Sequence, residues 1–178
     1  MTVAVNCKIL TMSMIQDGNR ILLVKRPSEK GFPGYIAPGG KVEFPESIVD
    51  GAIREVKEET GLIVKDITYK GLVEYCEVNS GERYMVFHYL VTSFEGDLLE
   101  NPPEGELLWA DLNQLDRLPM QDWFRSRIPL FFENGVFEIS TIWDKNRNIE
   151  LHKTERRYLE EHDQEAAHTA EYWARKQS

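Results

Sequence analysis

The sequence contains little cysteine and no long apolar run, and each shortage excludes a class of protein. Only Cys7 and Cys76 are cysteines among 178 residues, and each lies in a strand-like segment. Small secreted domains that are held together by disulfides contain more cysteines than this. We therefore expect two buried free thiols in a reducing compartment. No stretch approaches the roughly 20 apolar residues that a membrane-spanning helix needs. The sequence therefore predicts a cytoplasmic protein with no membrane partner.

Basic residues are also scarce, since 21 lysines and arginines stand against 30 aspartates and glutamates, for a formal net charge of −9. Proteins that bind the backbone of a nucleic acid polymer are usually basic, so no such polymer is expected as a partner. A small anion such as a polyphosphate is compatible with this charge if carboxylates first hold divalent cations, because the metal reverses the local sign.

The pattern of segments predicts one domain over residues 1–152, followed by an extension over residues 153–178. Alternating apolar residues around Asp17–Asn19 predict a first hairpin, and the clearest helix begins near Pro45 and ends at Gly61. Further strands are predicted at 67–78, 83–94, 106–110 and 136–143, with short helices at 112–118 and 123–132. Strands before and after a packed helix predict an α+β domain, a mixed α/β/α sandwich.

The extension has a different composition from the domain. From Lys153 onward the sequence contains no proline or glycine and many strong helix formers, which predicts a C-terminal helix. Leu159, Ala166, Ala170 and Trp173 would form a narrow apolar seam on it. The seam suits docking on the domain or on a second subunit, and a largely solvated helix fits equally well. A monomer and a homodimer are both compatible with this pattern.

Acidic residues are concentrated on one side of the clearest helix. Glu55, Glu58 and Glu59 stand at positions i, i+3 and i+4, so their carboxylates share a face. Each like-charged pair at this spacing destabilises a helix by roughly 0.2–0.5 kcal/mol, so the arrangement favours a bound cation. Carboxylate oxygens suit Mg²⁺ and Mn²⁺, which also accept phosphate oxygens. The helix is therefore a candidate for metal-dependent phosphate chemistry.

The segment Gly39–Leu62 resembles the Nudix box and matches each of its fixed positions. Those positions are Gly40, Glu46, Arg54, Glu55, Val56, Glu58, Glu59, Gly61 and Leu62. The resemblance implies a Nudix fold, with a mixed β-sheet between helices, and a hydrolase acting on phosphoric anhydride bonds. It also implies that Glu55, Glu58 and Glu59, helped by the Gly40 carbonyl, bind Mg²⁺, with Mn²⁺ as a possible substitute.

The same resemblance implies catalytic roles. Glu58 is the expected base that activates the attacking water, and Glu55 is the next candidate. Glu104 lies where related enzymes bring an additional metal ligand or base from a later loop, with Glu106 as its rival. In-line attack of water on one phosphorus would release a nucleoside monophosphate and pyrophosphate.

Other residues of this region are expected to position the site or contact the substrate. Glu46 and Arg54 are expected to hold loop and helix together through ion pairs, and Gly61 to end the helix. The candidates for substrate contacts are Arg26 and Lys41, for the phosphates, and Trp123, for the base. Solvated charges and a core tryptophan are the alternative interpretations of these three residues.

Residues 1 to about 152 resemble the MutT-related branch of the family, which includes 8-oxo-dGTP diphosphatases and nucleoside triphosphate pyrophosphohydrolases. LLWADLNQLDRLPM and VFEIS carry this resemblance. Two departures concern the base: Ile36 stands where mammalian-type members place an asparagine, and paired aspartates have no counterpart around Asp122–Phe124.

The substrate implied by this branch is a nucleoside triphosphate, with oxidised forms such as 8-oxo-dGTP among the candidates. Hydrolysis of ADP-ribose or sugar nucleotides is an alternative. A non-catalytic module that senses nucleotides is another, although such modules tend to have eroded boxes. The intact box carboxylates favour an enzyme.

Overall fold

An eight-stranded mixed sheet organises the part of the chain that the computed structural model describes, residues 5–159. Its strands are β1 (Asn6–Asp17), β2 (Arg20–Arg26), β3 (Gly34–Ile36), β4 (Ile63–Glu77), β5 (Glu82–Glu95), β6 (Glu106–Asp111), β7 (Val136–Asp144) and β8 (Ile149–Tyr158). The order is β3-β2-β1-β5-β4-β7-β8, and β6 pairs with β2. The pairs β1·β5 and β4·β7 are parallel, and the others are antiparallel.

Two hairpins form where the sequence predicts them. Strands β1 and β2 meet at a turn that contains Gly18, whose φ of 58° lies in the left-handed region. Strands β4 and β5 are joined by a turn over residues 78–81 and pair along their whole length. The first of these two long strands begins at Ile63, four residues before the predicted start, because the chain enters the sheet soon after Gly61.

Helix α1 (Ile48–Thr60) carries the acidic residues of the box. It begins three residues after Pro45, because Ser47 caps it and accepts a hydrogen bond from the backbone N–H of Asp50 at 3.1 Å. Its apolar face buries Val56 against Ile15 and Leu22 of the first two strands. This packing fixes the helix on the sheet and leaves its glutamates beside the loop that precedes it.

Helix α2 (Asp122–Arg127) covers the other face of the sheet and continues into a 3₁₀ turn at Ile128–Phe131. Its Phe124 is fully buried against Met14 of β1. Because Met14 and Ile15 are neighbours in one strand, their side chains point to opposite faces, so α1 and α2 lie on opposite sides. The predicted sandwich, with a mixed sheet between helices, is therefore confirmed.

The C-terminal prediction is wrong for the residues that can be compared. Residues 153–158 are not helical; they belong to strand β8, which pairs antiparallel with β7 from Tyr158 opposite Val136 to Ile149 opposite Asp144. The outer edge of β7 offers unpaired backbone groups, and pairing with them overrides the local helix preference. The proposed boundary at residue 152 thus falls inside a strand. Residues 160–178, with Ala166, Ala170 and Trp173, lie outside the described residues.

The cysteines also differ from expectation. Both are free thiols, but Cys7 is exposed and Cys76 is only half-buried. The predicted burial of Cys7 is wrong because it lies near the start of β1, away from the core clusters that the helices cover. Within residues 5–159, no helix is long and apolar enough to cross a membrane.

His88 of strand β5 is completely buried in the core beneath α2. Its ring packs against Phe131 and Phe137, with ring centroids 5.5 and 5.3 Å away. Its Nδ1 lies 2.8 Å from the carbonyl oxygen of Val86, whereas its Nε2 has no hydrogen-bond partner. Burial lowers the pKa of His88 to about 3, and the nearby charge of Arg127 acts in the same direction. The imidazole is therefore neutral in the folded protein.

We expect His88→Phe to reduce the loss of stability in acid. The folded chain keeps His88 neutral, whereas the unfolded chain binds a proton there near pH 6.5. Stability linked to His88 is therefore complete above pH 6.5 and is lost as the pH falls toward 3, by about 2 kcal/mol at pH 5. Urea unfolding of parent and variant at pH 8 and pH 5 measures this loss. An equal loss in both proteins would contradict the role of His88.

Candidate active site

The loop between β3 and α1, residues 37–47, is called the box loop. It is held against the edge of strand β1. The backbone N–H groups of Thr11 and Ser13 donate to the carbonyls of Gly40 and Pro38, each at 2.8 Å. A side chain at Gly39 would collide with the Thr11 carbonyl, so only glycine allows this approach. The loop backbone is thereby fixed directly above the acidic face of α1.

Glu55 lies against this backbone. A methyl group built on Gly40 would come within 2.6 Å of both carboxylate oxygens of Glu55, so the glycine leaves the space that the carboxylate occupies. The Gly40 carbonyl accepts one hydrogen bond, from Thr11, and keeps a second lone pair. A carboxylate and a backbone carbonyl, both hard oxygen donors, are thus placed side by side.

Glu59 is the most buried carboxyl of the site, with 8% of its surface exposed. It accepts a hydrogen bond from the Gly39 N–H at 3.0 Å. Burial raises the pKa of Glu59 to about 7, and the charges of Glu55 and Glu104 add to this effect, whereas the Gly39 hydrogen bond and Arg26 oppose it. An additional positive charge at this point would therefore stabilise the ionised form.

Arg54 joins the loop, the helix and two of the box carboxylates. Its Nη2 donates to Glu46 at 2.7 Å and to the Lys41 carbonyl at 2.9 Å. Its Nη1 donates to Glu55 and to Glu58, both at 3.0 Å. The hydrogen bonds from Arg54 hold the pKa of Glu46 at about 2. Glu46 and Arg54 therefore connect the loop to the helix.

The remaining acidic candidates differ in position. Glu58 is on the open side of the helix, with 58% of its side chain exposed. Glu104 pairs with Lys30 at 3.0 Å and lies close enough to Glu59 to affect its pKa. Glu106 points to Lys25 and is 74% exposed. The structure thus brings Glu104, rather than Glu106, toward the buried glutamate.

A divalent cation would bind to the carboxylate oxygens of these glutamates and to the Gly40 carbonyl. Within residues 5–159, no three His, Cys, Asp or Glu side chains converge closely enough to hold a metal as they stand. The Nη1 of Arg54 lies between Glu55 and Glu58 and donates to one oxygen of each carboxylate. The donor types, the space at Gly40 and the raised pKa of Glu59 all suit a hard cation. Each of these two carboxylates keeps a second oxygen that Arg54 does not contact and that a cation could use.

The three candidates for substrate contacts are separated. Arg26 is half-buried near Glu59; its Nη2 donates to the Lys30 carbonyl at 3.0 Å, and its buried Nε has no partner. Lys41 is exposed at the end of the box loop. Trp123 is on α2, in the apolar cluster that contains Ile36, and is not next to the glutamates.

Sequence reasoning missed Arg127, which lies over the Trp123 ring with its guanidinium carbon 4.6 Å from the ring centroid. The two residues are four positions apart and therefore neighbours on one helix face. That spacing of an arginine and a tryptophan was the signal that could have indicated the contact. Phe32, in the loop before β3, meets Trp123 edge-on at 6.0 Å.

Comparison with known proteins adds to this geometry. A profile of the NUDIX domain matches residues 9–131, a range that includes the box, Glu104 and Trp123. YvcI of Bacillus subtilis, an uncharacterised Nudix hydrolase, is 33% identical over 115 residues, which are 62% of this chain and 70% of that protein.

Relatives with named activities match at similar identity. An ADP-ribose pyrophosphatase of Methanocaldococcus jannaschii is 30% identical over 105 residues, 59% of this chain and 62% of that protein. The oxidized purine nucleoside triphosphate hydrolase of Mus musculus is 30% identical over 137 residues, 73% of this chain and 83% of that protein. The crystal structure of the mutator MutT protein from Bacillus halodurans has a TM-score of 0.71 at 27% identity, covering 83% and 97% of the two chains.

Gly61 offers a test of how the end of helix α1 is positioned. Its φ is 85°, and a methyl group added there would lie 2.7 Å from the Asp97 carbonyl oxygen. We expect Gly61→Ala to lower the free energy of unfolding by about 2–4 kcal/mol, because a strained φ and a backbone collision add up. Gly18→Ala is the matched control, since Gly18 has a φ of 58° with open space around it, and should cost only about 1 kcal/mol. Equal costs in chemical denaturation would show that the Asp97 contact is unimportant.

Proposed function

The chain belongs to the Nudix hydrolase family, whose members act on phosphoric anhydride bonds, and on this premise we propose that it is a Mg²⁺-dependent nucleoside triphosphate pyrophosphohydrolase. The products are the nucleoside monophosphate and pyrophosphate. Oxidised purine nucleotides such as 8-oxo-dGTP are included among its substrates. The observation that carries the proposal is the buried Glu59 carboxyl, held by Gly39 beside Glu55 in an intact box.

Glu55, Glu58 and Glu59 would hold the proposed cation together with the Gly40 carbonyl, and Glu104 would be an additional ligand. When bound, the cation would neutralise charge on the phosphates and lower the pKa of a water molecule. Mn²⁺ has similar ligand preferences and is the expected substitute. The bonds from Arg54 to Glu46 and to the Lys41 carbonyl use a different nitrogen from the bonds to Glu55 and Glu58, so they attach the loop to the helix independently of those two carboxylates.

The proposed base is Glu58. Its carboxylate is the most exposed of the three box glutamates, so it can reach a water molecule and pass the proton to solvent. Glu55 is the second candidate, although its contact with Gly40 leaves it less freedom. Glu59 is too deeply buried for this role and is expected to act only as a ligand.

The substrate contacts follow from charge and position. Arg26 lies near Glu59, and its guanidinium has the planar donor geometry that suits a phosphate oxygen. Lys41, exposed on the box loop, is the second proposed phosphate contact. Trp123 contributes to the site of the base, beside Ile36. The half-buried aromatic cluster and the acidic cluster would then bind opposite ends of one nucleotide.

We prefer a triphosphate to ADP-ribose as the substrate because the relative named for a triphosphate matches a larger share of this chain. The mouse oxidized purine nucleoside triphosphate hydrolase matches over 73% of this chain, whereas the archaeal ADP-ribose pyrophosphatase matches over 59%. ADP-ribose and sugar nucleotides are the alternative substrates, and a non-catalytic nucleotide sensor is the alternative function. A cytoplasmic location and a monomeric or homodimeric state are parts of the proposal.

A substrate panel tests this function. The chain is incubated with Mg²⁺ and dGTP, 8-oxo-dGTP, dATP, ADP-ribose or a uridine diphosphate sugar, and the release of pyrophosphate, phosphate and nucleotide is measured. We expect pyrophosphate and a monophosphate from a triphosphate, loss of activity with a chelator, and recovery with added Mg²⁺. Cleavage of ADP-ribose alone would show that the proposed substrate is wrong.

The same assay tests the base. Glu58→Gln should lower kcat by roughly 100-fold or more, as is typical when a general base is removed. Glu95→Gln is the matched control, because its side chain is 59% exposed, like that of Glu58, and it pairs with Lys65 away from the site. Equal activity of Glu58→Gln and the parent protein would contradict the assigned role. Tight binding of one nucleotide without any cleavage would favour the sensor.

A further inference from the structure

Trp123 and Phe32 form an aromatic wall near the surface, and Arg127 lies against its tryptophan. Its guanidinium carbon lies 4.6 Å from the centroid of the Trp123 ring. Phe32 meets the same tryptophan edge-on at an interplanar angle of 84°, and its own side chain is exposed. Trp123 and its cationic neighbour therefore form a half-buried surface with an aromatic face and a row of hydrogen-bond donors.

The guanidinium of Arg127 has no acceptor among residues 5–159. The ion pairs of arginines in that range involve Arg20, Arg54, Arg83 and Arg157. Arg125, on the same helix, donates to the carbonyls of Leu115 and Leu118, both at 2.7 Å, and so has a structural role. Arg127 makes no comparable bond, and the Nε2 of nearby His88 likewise has no partner.

This arrangement leaves donors available to a ligand. No nitrogen of Arg127 is among the fully buried atoms without a partner, so solvent still reaches them. Burial of the rest of the side chain lowers the pKa of Arg127 to about 10, which leaves it charged at neutral pH. A partly desolvated cation without an acceptor is unfavourable, and a ligand that supplies acceptors would relieve this cost.

We propose that Arg127 selects the base of the nucleotide by donating to O6 and N7 of a 6-oxopurine; this inference rests on the proposed function and names its substrate class. A guanidinium has five N–H donors and no acceptor, so it fits an edge with two neighbouring acceptors. Guanine and hypoxanthine present such an edge, whereas adenine presents an amino donor beside N7. 8-Oxoguanine keeps O6 but has a proton on N7, so it retains one of these two acceptors.

A short segment of the chain links the Trp123 cluster to the acidic site. Ile36 packs in the same cluster as Trp123, and the backbone N–H of Gly39, three residues later, donates to Glu59. Three extended residues span at most about 11 Å, which limits the separation of Ile36 and Gly39. This segment therefore contacts both the Trp123 cluster and the acidic site, and we place the base at its first end and the phosphates at its second.

The test combines variants of the protein with variants of the ligand. Initial rates give kcat/KM for dGTP, dITP, dATP and 7-deaza-dGTP, which lacks the N7 acceptor, with the parent, Arg127→Met and Arg127→Lys. Arg20→Met is the matched control, since Arg20 also lies over a tryptophan, 5.5 Å from the Trp109 centroid. Thermal unfolding verifies that each variant is folded.

The parent should prefer dGTP and dITP to dATP by roughly 5-fold to 100-fold, as one bidentate contact provides. It should lose several-fold on 7-deaza-dGTP. Arg127→Met should lose both effects, Arg127→Lys should keep at most part of them because it lacks the planar fork, and Arg20→Met should match the parent. No preference in the parent, or an undiminished 7-deaza penalty in Arg127→Met, would overturn the inference.

Binding of dGMP and dAMP, measured by calorimetry, separates this inference from the proposed function. Preferential binding of dGMP that Arg127→Met abolishes would support base selection even if no triphosphate were cleaved. Cleavage of triphosphates at equal rates, with equal binding of both monophosphates, would leave hydrolysis intact and reject the role of Arg127.

Discussion

The hydrogen bond from the Gly39 N–H to the buried Glu59 carboxyl is the contact on which the site depends. It joins the loop that leaves strand β3 to the last turn of α1, and it places a carboxyl where water has little access. Burial and the charge of Glu55 disfavour ionisation there. The fold therefore keeps an acidic group in an electrostatically unfavourable place, which a bound cation would make favourable.

Arg54 reduces the repulsion within this acidic arrangement. Its guanidinium bonds to three box glutamates at once and so neutralises part of their charge. The bond to Glu46 keeps the loop on the helix, whereas the bonds to Glu55 and Glu58 use one oxygen of each carboxylate. One side chain thus serves both the stability of the loop and the electrostatics of the acidic cluster, and the two functions use different nitrogens.

The segment over residues 31–42 contacts functional groups on both faces of the sheet. On the face of α1, this segment provides backbone groups to the carboxylates. On the face of α2, its first residues contact Trp123, which Arg127 also covers. Strand β1 holds this segment through hydrogen bonds from Thr11 and Ser13. Strand β1 therefore positions the segment that contacts both the acidic cluster and the aromatic wall.

The sequence by itself determined the features that depend on neighbours along the chain. The spacing of Glu55, Glu58 and Glu59, the stop at Gly61 and the turn at Gly18 are local, so they specify the helix and the first hairpin. Tertiary structure alone decided which of the later glutamates approaches Glu59, because that depends on how the loop before β6 crosses the sheet. It also made residues 153–158 a strand, since the free edge of β7 offers hydrogen bonds that no local preference reveals.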